Sequence, residues 1–207
     1  MIGPPASGKG TQARRIADKL GLRYLSTGAL LREHMENGTA IGRMAGPILN
    51  HGGYLPDSCM CEIVEQWLEN SGKGWILDGF PRSQAQADFL QQWLGERSQK
   101  LDAAVFLKAP IEILKDRIEG RVECPGCRWS GGRAELTGGA CPECGEMAET
   151  RGDDTLENFL SRHQAYENYA KPLVESYLQA GILCACDATR PRDEVTGQLL
   201  AALKSLS

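Results

Sequence analysis

The sequence is poor in histidine: His34, His51 and His163 are scattered along 207 residues and form no ligand or triad pattern. No nucleophile–base pair stands out, so covalent catalysis has little support. No apolar run approaches the ~20 residues of a membrane span. Basic charge is also scarce. A net charge of −4 and a pI near 5.5 argue against a nucleic-acid or membrane-surface protein. There are no internal repeats and no low-complexity tracts. The N-terminus does not read as a signal peptide. The expected compartment is therefore the cytoplasm, where eight cysteines stay reduced unless metal-bound. At 22.6 kDa and 42% hydrophobic residues, the chain suits one core domain with insertions.

One further shortage concerns the start. Only Met1 and Ile2 precede a glycine-rich loop that should follow a buried strand of about 5–6 residues. The expectation is that the native strand begins upstream, or that the central strand is cut short.

What the chain does have begins at that loop. Gly3-Pro4-Pro5-Ala6-Ser7-Gly8-Lys9-Gly10-Thr11 reads G-x-x-x-x-G-K-G-T and opens a helix. Glycines let successive N–H groups turn toward phosphate oxygens, and the helix start adds positive charge. Lys9 supplies a mobile cation for β- and γ-phosphates. Gly10 stands where Ser or Thr usually follows the lysine, and the hydroxyl comes one residue later at Thr11. Of the 23 basic residues 15 are arginine, whose forked guanidinium suits phosphate.

Helical and strand patterns then alternate. Helices are expected over 11–20, 26–36, 41–50, 59–70, 84–94, 111–120, 155–180 (interrupted near Pro172) and 193–206. Strands are expected over 22–25, 74–78, 103–107 and 181–186. Continuous apolar strands between helices imply a parallel sheet covered on both faces. Ligands then sit beyond the carboxyl ends of the strands, where Asp78 ends one of them.

Residues 121–152 are rich in glycine and poor in large apolar side chains, chiefly Trp129, Leu136 and Met147. They hold Cys124-Pro125-Gly126-Cys127 and Cys141-Pro142-Glu143-Cys144, two knuckles 13 residues apart. This is zinc spacing, and four thiolates would make the site structural. Disulfides or free thiols are the competing readings. Cys59 and Cys61 face different ways on a helix, and Cys184 and Cys186 read as small core residues.

Together these residues resemble the adenylate kinases of the long, zinc-bearing lid type, among the nucleoside monophosphate kinases. The resemblance rests on residues 3–11, Ser26-Thr27-Gly28 with Arg32, Asp78-Gly79-Phe80-Pro81-Arg82 with Gln86, Asp116-Arg117-Ile118 with Arg121, Arg151 with Asp153-Asp154, and Arg162. It implies reversible, Mg²⁺-dependent phosphoryl transfer from ATP to AMP, giving two ADP. The implied fold is an α/β, P-loop NTPase-like parallel five-stranded sheet with helices on both faces, a nucleotide-binding insert and a zinc-bearing lid. Its core would comprise residues 1–25, 57–120 and 153–207, the AMP-binding insert 26–56, and the lid 121–152.

The resemblance also implies roles. Gly3, Pro4, Ala6, Ser7, Gly8, Lys9, Gly10 and Thr11 would hold ATP with Arg117, Arg121 and Arg190. Thr27, Arg32, Gly79, Arg82, Gln86, Arg151 and Arg162 would bind AMP. Lys9, Arg82, Arg117, Arg121, Arg151 and Arg162 would carry catalysis. Asp78 would hold Mg²⁺, and Cys124, Cys127, Cys141 and Cys144 structural Zn²⁺. Asp153 and Asp154 would help the closed lid. A monomer acting on ATP, AMP and ADP, without nucleic acid or membrane, is the expectation. Two residues depart from the pattern: Ala29, where Asp is usual, and Arg190, often lysine. The rivals are a kinase of UMP, CMP or GMP, a zinc-ribbon nucleic-acid-binding ATPase, and a silent nucleotide switch. Four arginines against five glutamates in 121–152 make a poor footprint for a nucleic-acid backbone.

Overall fold

A computed structural model of the chain describes residues 1–72 and 74–205. The chain runs through α1 (Lys9–Leu20), β1 (Arg23–Ser26), α2 (Thr27–Glu36), α3 (Ala40–Asn50), α4 (Asp57–Glu69), β2 (Trp75–Asp78), α5 (Gln84–Glu96), β3 (Ala104–Lys108) and α6 (Ile111–Glu119). It continues with β4 (Arg121–Glu123), β5 (Ser130–Gly132), α7 (Leu156–Gln179), β6 (Leu183–Asp187) and α8 (Arg192–Lys204). No helix of the described residues is long and apolar enough to cross a membrane.

The architecture is α/β with small parallel sheets. β1 pairs in parallel with β2, from Arg23 opposite Trp75 to Ser26 opposite Asp78. β3 pairs in parallel with β6, from Ala104 opposite Leu183 to Lys108 opposite Asp187. Ile2 makes a single parallel bridge to Phe106. The Ile2 N–H donates to the Val105 carbonyl at 2.7 Å, and the Leu107 N–H donates to the Ile2 carbonyl at 3.0 Å. The Met1 nitrogen donates to the Leu77 carbonyl at 2.7 Å.

Two apolar clusters hold these strands. Leu25 and Leu77 of the first pair pack with Leu31, Val64, Phe80 and Leu90 from the helices around them. Leu107, Cys184 and Cys186 of the second pair pack with Ile16 of α1 and Val195 and Leu199 of α8. Thr196 of α8 donates to Oε1 of the buried Gln12 at 2.8 Å, tying α8 to α1 beneath the glycine loop.

α7 differs from expectation, for it runs unbroken through Pro172. A proline inside a helix costs about 3 kcal/mol. The neighbouring Ala170 and Leu173 are buried at 4% and 1% exposure, and that packing carries the helix past the lost hydrogen bond. Pro47 sits inside α3 in the same way. Of the closing helix expected over 193–206, Leu206 lies outside the described residues.

Residues 121–152 form an antiparallel ribbon of β4 and β5, with Val122 opposite Gly131. Their small core is Val122, Cys124, Trp129 and Cys141. Of their large apolar side chains, Trp129 is buried and Met147 is exposed.

Candidate active site

The loop over residues 3–11 curls because three positions take positive φ: Gly3 at 148°, Ala6 at 62° and Gly8 at 89°. At Gly3 a Cβ would stand 2.7 Å from the Leu107 carbonyl, which requires glycine. Gly8 caps α1, whose first residue is Lys9. Pro4 is buried under the loop. Gly3, Ala6, Ser7, Gly8, Lys9, Gly10 and Thr11 line a cavity of about 830 Å³. Lys9 Nζ donates to the Gly3 and Pro4 carbonyls, both at 2.8 Å. Burial pushes its pKa down to about 8, against the pull of Asp78 and with the help of Arg82 and Arg121.

Asp78 ends β2 at the cavity wall and is buried. Its Oδ2 accepts from the Tyr24 hydroxyl at 3.3 Å. Its buried Oδ1 has no hydrogen-bond partner among the described residues. An unpaired, buried carboxylate oxygen beside a glycine loop suits a hydrated cation. A Cβ at Gly10 would lie 3.2 Å from Asp78 Oδ2, so glycine after the lysine leaves this carboxylate its room.

Across the cavity, α7 and the ribbon bring arginines together. Arg162 pairs with Asp153 at 3.0 Å, and Arg151 pairs with Asp153 at 3.3 Å and with Glu123 at 3.3 Å. Arg121 forms a two-pronged pair with Asp154. Arg32 reaches Glu123 at 3.7 Å. Arg82 lies over the Tyr54 ring, 4.4 Å from its centre. A Cβ at Gly79 would lie 2.4 Å from Thr27 Oγ1 and 2.8 Å from an Arg82 nitrogen, so glycine lets both approach. Arg117 and Arg190 stand apart. Arg117 donates to the Ala188 carbonyl at 2.5 Å, and Arg190 sits exposed on the rim with Asp187 and Glu194.

Asp153 is where the charge balance shows. Burial raises its pKa, but Arg151, Arg162 and Arg32 outweigh burial and hold it at about 2, below the ordinary 3.8. A depressed carboxylate pKa adds stability above the unfolded value and loses it as pH falls through the folded one. Asp153→Asn is therefore expected to flatten the fall in melting temperature between about pH 4 and pH 2. Thermal melts of both proteins across that window check it, and parallel curves would contradict it.

Thr27 and Gln86 line a smaller cavity of about 200 Å³ with Leu31, Leu55 and Met60. Ser26 caps α2 by accepting from the Ala29 N–H at 3.3 Å, so Ala29 leaves the helix start intact.

The four cysteines of the ribbon bring their sulfurs within 4.8 Å of one another. Cys124 and Cys144 Sγ are 3.4 Å apart, and Cys127 and Cys141 Sγ 3.5 Å. A tetrahedral metal bound by sulfur at about 2.3 Å sets S···S near 3.8 Å, so the donor set fits. The disulfide reading fails among the described residues, where all eight cysteines are free.

Sequence reasoning missed several residues here. Glu123 is held on both sides of its backbone, paired with Ser130 and bonded to Glu149. That fixes its carboxylate among Arg32, Arg128 and Arg151. Arg128, at φ 61°, reaches Glu36 of α2 at 3.1 Å. Arg14 of α1 donates to the Cys127 carbonyl at 2.6 Å, and Arg192 pairs with Glu135 at 3.0 Å. All are charged residues far apart in the chain, and no local pattern marks them.

The sequence model described as adenylate kinase matches residues 1–182. The adenylate kinase of Clostridium tetani is 37% identical over 200 residues, covering 94% of this chain and 93% of its own length. That of Caldanaerobacter subterraneus is 36% identical over 211 residues, covering 98% and 94%. That of Vanderwaltozyma polyspora is 38% identical over 216 residues, again covering 98% and 94%. With the phosphate loop, the arginine cluster and this near-complete likeness in agreement, the chain belongs to the adenylate kinase family of phosphotransferases.

Proposed function

We propose that the large cavity takes ATP and AMP end to end, with the phosphates between Lys9 and the arginines of α7 and the ribbon. The observation that carries this reading is the gathering of Arg32, Arg121, Arg151 and Arg162 around three carboxylates opposite the glycine loop. Phosphoryl transfer asks a protein for position and charge rather than for covalent chemistry.

In this reading the loop N–H groups and Lys9 hold the ATP phosphates, with Arg117, Arg121 and Arg190 on the same nucleotide. Arg32 and Arg82 clamp the AMP phosphate, while Arg117, Arg121, Arg151 and Arg162 meet the transferring group. Thr27 and Gln86 meet the AMP base, and Gly79 lies on the same nucleotide. Asp78 would hold Mg²⁺, which supplies neutralising charge to the β- and γ-phosphates when bound. Residues 26–56 and 121–152 act as the two movable inserts, and 1–25, 57–120 and 153–207 as the core. Cys124, Cys127, Cys141 and Cys144 hold structural Zn²⁺. The two strand pairs and residues 1–2 form one five-stranded parallel layer, a reading supported by the bonds from Ile2 to β3 and from Met1 to β2. The arrangement suits a cytoplasmic monomer.

The test is a coupled assay for ADP formed from ATP and AMP with Mg²⁺, run beside UMP, CMP and GMP. Turnover with AMP well above the others is the expected result. Nucleotide binding without turnover, or preference for another monophosphate, would overturn it.

Glu123 gives a second check. Its carboxylate sets negative charge among the cations that would take phosphate. Glu123→Gln is expected to lower the melting temperature of the free protein, because breaking a half-buried ion pair leaves its partners unmatched. The same change is expected to enlarge the rise in melting temperature given by AMP. An equal AMP-induced rise in both proteins would contradict this.

A further inference from the structure

We propose that Asp57 is a specificity-determining residue: it fixes which way the Gln86 amide faces, and so which purine monophosphate the site accepts. This rests on the reading, above, that Gln86 meets the AMP base.

Gln86 is 4% exposed, and both ends of its amide are held by the protein. Its Nε2 donates to Asp57 Oδ1 at 2.7 Å. Its Oε1 accepts from the Arg82 N–H at 2.7 Å. A carboxylate only accepts and a backbone N–H only donates, so the two partners permit one amide orientation. Asp57 is itself held. The Ser83 hydroxyl donates to Asp57 Oδ2 at 2.6 Å, and Ser83 Oγ accepts from the Gln86 N–H at 3.2 Å while capping α5. Because a carboxylate only accepts, that hydroxyl gives its proton to Asp57. Asp57 opens α4, so the ring joins the first turns of α4 and α5 at the small cavity.

One lone pair on Oε1 and one N–H on Nε2 remain for a ligand. They present an acceptor beside a donor, in an order the ring sets. The adenine edge matches it, with a 6-amino donor beside the N1 acceptor. Hypoxanthine presents the reverse, a 6-oxo acceptor beside an N1–H donor. A fixed amide satisfies the first and leaves buried polar atoms unmatched against the second, which is how a polar pocket rejects a near-isostere. Without Asp57 only the Arg82 N–H still holds the amide, so the cost of turning it toward the other edge falls.

The test compares AMP with inosine monophosphate as acceptors, since the two differ only along this edge. Kinetics are measured for the full-length protein and for Asp57→Ala, Asp57→Asn, Gln86→Ala and the double variant Asp57→Ala/Gln86→Ala. In Asp57→Ala the ratio of kcat/KM for AMP over that for inosine monophosphate is expected to fall at least about tenfold, the loss of one charged hydrogen bond. The fall should lie mainly in KM for AMP. Asp57→Asn keeps an acceptor oxygen toward Nε2 and is expected to retain most of the preference, even if both variants melt earlier. In the Gln86→Ala background, removing Asp57 should change the ratio no further. If Gln86→Ala lowers the ratio but Asp57→Ala does not, the role of Asp57 is overturned while the base reading stands. If Gln86→Ala leaves the ratio unchanged, the base reading fails and the inference with it.

Discussion

Replacing Lys9 by Met is expected to lower kcat/KM for ADP formation by roughly 10³-fold, the scale seen when a preorganised charge on a transferring group is removed. In the free protein Lys9 Nζ donates to the Gly3 and Pro4 carbonyls of its own loop, and in the proposed reading it turns from them to the phosphates. Gly3, Ala6 and Gly8 set the backbone, and α1 is anchored by buried Ile16 and Gln12. The lysine itself is unfavourably placed in the free protein, where burial drags its pKa down to about 8. Removing that buried charge should leave the melting temperature unchanged or higher, as befits a group kept for function at the expense of stability. Steady-state kinetics and a thermal melt on one preparation check both halves. Near-normal turnover would show that the loop does not serve the phosphates. A collapsed melting curve would make Lys9 a structural residue.

The other large effect is expected at the cysteine cluster. Residues 121–152 bury only Val122, Cys124, Trp129 and Cys141 as a core of their own, too little to hold the segment by burial. Cys127→Ser removes one of four converging thiols. Structural zinc sites contribute about 10–16 kcal/mol of folding free energy in small zinc-binding peptides, so losing a ligand should loosen the whole segment. The expected outcome is a melting temperature lower by roughly 4–8 °C, the shift given by about 2 kcal/mol in a domain of this size. Turnover in the cold should be largely kept, because below the melting of the segment Arg121 stays paired with Asp154 and Arg151 with Asp153. Chelation of the metal from the unmodified protein should give the same shift. Unchanged melting after either treatment would remove the cluster from any structural role.

Much of this was legible in the chain. The glycine loop announced itself because its chemistry is local: positive φ and a helix start must follow one another within nine residues. The cysteines were legible for the same reason, since a knuckle fits within four residues. The strands ending at Asp78 and Lys108 showed as apolar runs because both faces are covered. Pro172 misled, because its local penalty is real and only the burial of Ala170 and Leu173, decided by the fold, outweighs it. Glu123, Arg128 and Asp57 could not be read at all. Arg128 and its partner Glu36 are 92 residues apart in sequence, and Asp57 and Gln86 are 29 apart. Single charged residues carry no periodicity, and their meaning exists only once α2, α4, α5 and the ribbon meet.

The central claim is that Arg32, Arg82, Arg121, Arg151 and Arg162 turn inward on phosphates lying between two nucleotides. A crystal structure with a bisubstrate analogue, two adenosines joined by a phosphate chain, tests it most directly. The account predicts these five guanidinium groups at hydrogen-bond distance from phosphate oxygens, with Glu123 withdrawn from Arg32 and Arg151. Guanidinium groups still turned to Glu123, Asp153 and Asp154, with the phosphate chain bound elsewhere, would contradict it.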